Sequence, residues 1–464
     1  FENITFGIGK NQKVALIAKN GMGKSTLLRI IAGKDSADTG TVIFRNDISI
    51  GILDQDPELD PENYVFEEVF NSENPTLKLI KTYEQAVKDN DTSALEELIP
   101  QMDALAAWDY DTQVKQILSE LKVDKYSLRI KELSGGQRKR VGLAKILISN
   151  PDFLILDEPT NHLDNEMASW LEDYLNRFKG VVIMVTHDRY FLDRVTNKIL
   201  EISHGKIYSY EAKYSDFLEL KAQREEMEMA SERKKQSILR MEIEWAKRGC
   251  RARSTKQRAR LDRLEAMKNS TAPVRDKNVE IDSVETRMGK KTIELHHISK
   301  RFGDKVCIND FDYIVLKNQR LGIIGPNGCG KSTLLKIIAG IVQPDSGEVE
   351  IGDTIKLGYF SQEIEDMNSS QRVIDYIKDV AEFIPTRDGL ISASKLLEQF
   401  LFDPAMQYAP IEKLSGGEKK RLYLLKVLAA APNVLLLDEI TNDIDIPTLT
   451  ILEDYLDSFA GIVI

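Results

Sequence analysis

The sequence predicts an α/β protein made of two copies of one domain, with a long charged α-helical hairpin between them. Three observations carry this. Asn20-Gly21-Met22-Gly23-Lys24-Ser25-Thr26-Leu27-Leu28 returns 307 positions later as Asn327-Gly328-Cys329-Gly330-Lys331-Ser332-Thr333-Leu334-Leu335. Leu133-Ser134-Gly135-Gly136 returns 281 positions later as Leu414-Ser415-Gly416-Gly417. Between the copies, roughly residues 210–290 are highly charged and poor in β-branched residues, with only Gly249, Pro273 and Gly289 as breakers.

The bulk composition bounds the reading. A chain of 464 residues is too long for one core and implies two or three domains. Its 42% hydrophobic and 30% charged residues are those of a soluble globular protein. A net charge of −11 excludes a molecule-wide surface for polyanions, so any nucleic-acid site must be a local basic patch. The three cysteines, Cys250, Cys307 and Cys329, have no paired spacing. That argues against a disulfide framework or zinc site and for a reducing, cytoplasmic setting. No run approaches the ~20 apolar residues of a membrane span, and no signal peptide opens the chain.

The expected domains are residues 1–209, the linker 210–290, and residues 291–464. The offset falls from 307 to 281 between the two shared motifs, so copy one carries 26 extra residues. They are expected as a helical, arm-like insertion at about 70–105, where Glu, Lys and Leu recur at helical spacing. A repeat of this length points to duplication, since solenoid periods run only ~20–50 residues. Each copy is expected to be incomplete at one end. The counterpart of Phe302 would precede Phe1, and that of Thr186-His187-Asp188 would follow Ile464.

Within each copy an apolar strand, Val14-Ala15-Leu16-Ile17 or Leu321-Gly322-Ile323-Ile324, leads into the glycine loop and then a helix. Glycines let backbone N–H groups approach phosphate oxygens, and the helix N-terminus adds positive potential. Asn20, Gly21, Gly23, Lys24, Ser25 and Thr26 are therefore one candidate nucleotide cradle. Asn327, Gly328, Gly330, Lys331, Ser332 and Thr333 are the other. Lys24 and Lys331 would contact the β- and γ-phosphates, and the Ser25 and Ser332 hydroxyls would ligate Mg²⁺. Copy two carries the full G-x-x-x-x-G-K-[ST] pattern from Gly325, while copy one has Ala18 at the leading position.

A second apolar run ends in Asp157-Glu158 and, in copy two, in Asp438-Glu439. Asp157 and Asp438 would hold the metal, and Glu158 and Glu439 would polarise an attacking water. The competing reading makes these acids helix caps. Gln55 and Gln362 are candidate sensors of the γ-phosphate and Mg²⁺. His187 follows the strand Val181–Val185 and can reach the γ-phosphate, although a lone histidine is more often structural.

In this order the glycine loop, Gln, Leu-Ser-Gly-Gly-Gln, Asp-Glu-Pro-Thr and His resemble ATP-binding-cassette (ABC) ATPases. Asp157-Glu158-Pro159-Thr160-Asn161-His162-Leu163-Asp164 looks like the signature of the ABC-F subfamily, whose members carry two ABC-type P-loop cassettes and no membrane domain. The stretch Glu242–Gly249 and the following Ala252–Gln257 look most like its Uup-type branch. The resemblance implies composite sites. One nucleotide would lie between Lys24, Ser25, Asp157, Glu158 and the opposite Ser415, Gly416 and Gly417. The other would lie between Lys331, Ser332, Asp438, Glu439 and Ser134, Gly135 and Gly136. Phe302 matches the adenine-stacking aromatic, and Asp164 and Asp445 match the loop joining the sites. Copy two departs from the family at Ile440 and Ile444. Glu418 stands where copy one has Gln137, which makes the sites chemically unequal.

Leu218, Leu220, Met227, Met229, Ile238, Met241, Ile243 and Trp245 can form an apolar seam on a first linker helix. A turn near Gly249 and a second helix from about Ser254 to Lys268 would complete the hairpin. From Trp245 to Leu261 the chain carries Lys247, Arg248, Arg251, Arg253, Lys256, Arg258 and Arg260 with no acid among them. Such a tip can pair with RNA phosphates, whereas the bland reading is a solvated helix face. Trp245 can stack on a base or pack the hairpin. The resemblance implies a translation factor acting on the ribosome, its rRNA and tRNA. It binds near the exit site, its linker reaches toward peptidyl-site tRNA, and ATP hydrolysis releases it. A DNA-associated ATPase is the alternative, and the ATPase subunit of a membrane transporter a more distant one.

Overall fold

The computed structural model describes residues 4–18, 21–46, 48–70, 75–105, 107–203, 205–247, 289, 291–303, 305–361, 367–386, 389–440 and 444–464. Apolar runs build the first cassette's sheet from β1 (Lys13–Ile17), β2 (Ile50–Leu53), β3 (Phe153–Asp157), β4 (Val181–Val185), β5 (Lys198–Ser203) and β6 (Lys206–Tyr210). Their order is β2-β3-β4-β1-β5-β6, parallel except for the β5–β6 hairpin. Strand β3 is buried at every residue, as a sheet covered on both faces requires. Helices α1 (Lys24–Ile31), α7 (Asn165–Arg177) and α8 (Arg189–Val195) follow β1, β3 and β4 in the chain. The loops at the carboxyl ends of these strands open on one side of the sheet, where α/β sheets bind ligands.

Between β2 and β3 lie α2 (Val65–Val69), α3 (Pro75–Lys88), α4 (Thr92–Ala104), α5 (Ala107–Glu120) and α6 (Gly135–Ser149). They share a core that includes Leu77, Ile80, Met102, Leu121 and Leu143. Helices α3 and α4 turn at Asn90, and Asp91 caps α4 by accepting from the Ala94 N–H. Among the described residues the second cassette has no helix pair at this point. Its α11 (Val373–Lys378) and α12 (Ala393–Gln399) are separated by a short hairpin, β11 (Phe383–Thr386) and β12 (Gly389–Ser392).

Helix α9 (Tyr214–Lys247) leaves the first cassette as a 34-residue helix. Tyr214 and Phe217 are buried at its base, whereas Leu218, Leu220 and Met227 are exposed. The second linker helix expected to cover the apolar seam lies outside the described residues, as do the side chains of Ile238, Met241 and Ile243. The face that meets the cassette runs through Tyr214, Phe217, Lys221 and Arg224 at helical spacing, and the three seam residues fall off it. Glu201, on the strand beside β1, anchors this face. Its carboxylate, 3% exposed, takes Lys221 at 2.8 Å, Arg224 at 2.8 Å and the Tyr210 hydroxyl at 3.2 Å. The Arg224 guanidinium also lies over the Tyr208 ring at 3.8 Å. Lys247 closes α9. Arg248, Arg251, Arg253, Lys256, Arg258, Arg260 and the predicted second linker helix lie outside the described residues, as does the Trp245 side chain.

The second cassette opens with β7 (Ile293–Phe302), β8 (Lys305–Val315) and β9 (Ser346–Ile351) in an antiparallel sheet, order β8-β7-β9. Its parallel layer is β10 (Leu357–Phe360), β13 (Val434–Leu437) and β14 (Ile462–Val463), order β10-β13-β14. The helices are α10 (Lys331–Ile338), α11, α12, α13 (Pro404–Gln407), α14 (Gly416–Ala429) and α15 (Ile446–Ser458). One expectation fails here. Leu321–Ile324 does not form a strand, and only its first residue donates to the Val463 carbonyl, at 2.8 Å. In copy one, β1 is held between β4 and β5. In copy two the pairing next to this segment is a single bridge from Arg320 to Val463.

Candidate nucleotide sites and family

Each glycine loop turns into its helix through residues that need a left-handed backbone. Gly21 and Gly23 have φ of 77° and 84°, and Gly328 and Gly330 have 76° and 110°. A Cβ on Gly330 would sit 2.9 Å from the Cys307 carbonyl oxygen, so the loop backbone must be bare there. Helices α1 and α10 begin directly on Lys24 and Lys331, with no side-chain cap at Gly23 or Gly330. Their first N–H groups are thus open to an anion. The Lys24 ammonium donates to the Ala18 carbonyl at 3.0 Å, and Lys331 to the Gly325 and Pro326 carbonyls at 2.9 and 3.1 Å. Burial lowers the Lys24 pKa, against the charges of Glu158, Asp445 and Asp157. Asn20 lies outside the described residues.

Beside each loop stand a hydroxyl and a carboxylate. Ser332 Oγ donates to Asp438 Oδ1 at 2.9 Å, and Tyr359 reaches Asp438 Oδ2 at 3.4 Å. In the first cassette Asp157 is raised by burial, with a Ser25 hydrogen bond opposing it. Hard oxygen donors paired in this way fit Mg²⁺. When bound, the ion would supply charge neutralisation on the phosphates. Gln55 is exposed two residues past β2, and Gln362 lies outside the described residues.

Glu158 and Glu439 follow directly, both in the left-handed region, at φ of 51° and 48°. Such backbone is held only where surrounding structure over-determines it, and it clusters at reactive sites. The Glu158 N–H donates to Val185 at 2.8 Å, which fixes this turn against β4. Burial and the neighbouring Asp157 charge push the Glu158 carboxyl up to about 8. His187 meets it twice. Its N–H donates to Glu158 Oε2 at 3.4 Å, and its Nε2 lies 3.4 Å from Oε1. His187 is thus the side chain that flanks the Glu158 carboxylate beside the first glycine loop. Neither Asp-Glu pair caps a helix: α7 and α15 are capped by Asp164 and Asp445.

Ser134 and Ser415 cap α6 and α14 in closed capping boxes. In the first, Gln137 Oε1 accepts from the Ser134 N–H at 3.0 Å. In the second, Glu418 accepts from the Ser415 N–H and its hydroxyl, each at 2.8 Å. The sequence difference at this position is thus an extra bond on one serine hydroxyl. These signatures face the opposite cassette's loop. A Cβ on Gly21 would lie 3.7 Å from a Glu418 carboxylate oxygen. Asn327 donates to the His162 carbonyl at 3.0 Å, and His162 packs on Gly136, 3.3 Å from a Cβ built there. Phe302 ends β7 and is 53% exposed. Sequence reasoning missed His162 and, on α8, Arg189. Both make contacts across the interface; His162 lies within the Asp157–Asp164 signature without a role read for it, and no local pattern announces Arg189.

Comparison with known proteins accounts for this doubled arrangement. The profile of the family described as ABC transporter matches residues 1–161 and 308–442, and a second profile of the same description matches 200–282. The energy-dependent translational throttle protein EttA of Escherichia coli (strain K12) is 37% identical over 99% of this chain and 85% of its own length. The chain belongs to the ABC-F subfamily of ATP-binding-cassette ATPases. EttA of Mycobacterium tuberculosis (strain H37Rv) is 36% identical, over 99% of this chain and 84% of that protein. An uncharacterised ABC transporter ATP-binding protein of Bacillus subtilis (strain 168), YfmR, is 46% identical over all of this chain and 75% of its own. Among solved structures, RNase-L Inhibitor superposes with a TM-score of 0.58 at 19% identity, covering 98% of this chain and 80% of that one. It shares the tandem-cassette fold. The chain is an ATPase with two cassettes, as the paired motifs predict. Among its described residues no helix is long and apolar enough to cross a membrane.

Proposed function

We propose that this chain is a cytoplasmic translation factor of the Uup-type branch that binds the ribosome near the exit site while ATP holds its cassettes together. The observation that carries this is the crossed apposition of the halves. Glu418 of one signature stands over Gly21, and Asn327 of the other loop is bonded to His162. Each γ-phosphate would be held by Lys24 or Lys331 on one side and by the opposite serine, glycine N–H groups and helix N-terminus on the other. Ser25 with Asp157, and Ser332 with Asp438, would hold Mg²⁺, with Gln55 and Gln362 beside them. Glu158, set by His187, and Glu439 would accept the proton of the attacking water. Phe302 would stack on adenine. Loss of the bridging phosphate charge would let the cassettes part.

The ribosome enters through likeness to EttA, named a translational throttle protein. The basic run Lys247 to Arg260 would pair with RNA phosphates and reach toward peptidyl-site tRNA. Competition binding tests this reading. Labelled protein with ATP should stay on ribosomes when excess duplex DNA is added. Transfer to the DNA would overturn it in favour of a DNA-associated ATPase.

A further inference from the structure

We propose that Arg189 is a positioning residue for ATP hydrolysis, clasping the second cassette so that the His187 turn stays set against Glu158. Arg189 is the first residue of α8, two past His187, and Asp188 caps that helix by accepting from the Phe191 N–H at 3.0 Å. Its guanidinium crosses the interface to α15. One nitrogen meets Glu453 at 2.8 Å, and the other donates to the Ile446 carbonyl and the Thr450 hydroxyl, each at 2.9 Å. Residues 446, 450 and 453 form one face of α15, so the planar fork reads a helix side that a lysine could not match.

What sits at the ends of this clasp gives it a role. The first turn of α15 is capped by Asp445, whose charge acts on the Lys24 ammonium in the first glycine loop. The preceding residue of α8's turn, Thr186, bonds Thr160 at 3.0 Å beside Glu158. One side chain therefore ties the loop that orients Glu158 to the helix that brings Asp445 into the same composite site. The linker shares the support, since the Ser215 N–H at the base of α9 donates to Asp193 of α8 at 2.8 Å. Separation of the cassettes removes all three partners of Arg189 at once and releases the His187 turn. The first site is thereby switched off whenever the halves part, which a single-cassette arrangement of the same residues would not do.

The inference rests on the composite-site reading, so the experiment carries a control for each. The full chain is assayed for ATP hydrolysis as wild type, Arg189→Ala, Arg189→Glu, Arg189→Glu with Glu453→Arg, and Glu158→Gln. Arg189→Ala should lower kcat about tenfold, with KM changed by less than about twofold and an unaltered thermal unfolding midpoint. Arg189→Glu should lose more, and the charge swap should recover most of that loss. Wild-type kcat in Arg189→Ala would overturn the proposal. So would a kcat that falls in step with the unfolding midpoint, or a swap no better than Arg189→Glu. If Glu158→Gln hydrolyses normally, the site reading itself fails.

Discussion

Gly330 offers the sharpest single-atom perturbation of the second nucleotide site. Its φ of 110° is beyond what a side chain accepts comfortably, and an added Cβ would meet the Cys307 carbonyl oxygen at 2.9 Å. Holding a non-glycine residue in such a conformation costs about 1–3 kcal/mol. Relief must come from the loop, because the alternative is to move the backbone of β8. The loop is also what presents N–H groups to phosphate, so the cost should appear as lost nucleotide affinity. At about 1.4 kcal/mol per factor of ten, Gly330→Ala should weaken ATP at this site by ~5- to ~150-fold. Gly340→Ala is the matched control. It shares a positive φ, 74°, but a Cβ there meets nothing within 4 Å, and it lies past the far end of α10 from the glycine loop. Titration calorimetry in the Glu158→Gln, Glu439→Gln background, which blocks hydrolysis, should resolve one weakened site beside one unaltered site. Gly340→Ala should keep both sites and lose only about 1 kcal/mol of stability. Two unaltered sites in Gly330→Ala would refute the claim that this loop is a preformed cradle.

Three further outcomes follow from the same geometry. Glu201→Gln should leave Arg224 and Lys221 facing a neutral partner in a mostly buried cluster and cost about 3 kcal/mol in denaturant unfolding; a loss below about 0.5 kcal/mol would mean that the linker base is not anchored there. Asp164 is pushed up by burial, but Lys122 at 2.6 Å and the Met167 N–H hold it net below the usual carboxylate range. Its folded pKa is depressed, so its contribution is present above the unfolded pKa and lost as pH falls through the folded one. Lys122 is 43% exposed. Lys122→Met should therefore cost only about 0.5–1 kcal/mol at pH 7, and the gap to wild type should close in acid; a gap independent of pH contradicts the pairing. Arg248, Arg251 and Arg253 changed together to Ala should flatten the salt dependence of ribosome binding by about 0.7–0.9 per lost phosphate contact, with ATP affinity unchanged. An unaltered slope returns the basic run to a solvated helix face.

Much of the site was legible because its chemistry is local. Phosphate demands bare backbone at a helix start, which glycine, lysine and serine spell out in sequence at Gly21–Ser25. The acids Asp157 and Glu158 close an apolar run whose burial on both faces is equally plain. Duplication then fixed both domains and their offsets. What stayed hidden depends on distant partners. Arg189 meets residues 257 to 264 positions away, and nothing around it signals them. Leu218, Leu220 and Met227 are exposed because the cassette covers the adjacent face of α9, and the linker helix expected against the seam lies outside the described residues. Leu321–Ile324 reads as a strand by composition. It does not form one, and pairing there is confined to a single bridge from Arg320 to Val463.

The central claim is that ATP, by joining the cassettes, gates ribosome binding. Co-sedimentation of the Glu158→Gln, Glu439→Gln protein with ribosomes measures it directly, in ATP and in ADP. Retention on ribosomes in ATP and release in ADP are expected. Equal retention in both nucleotides, or in neither, would contradict it.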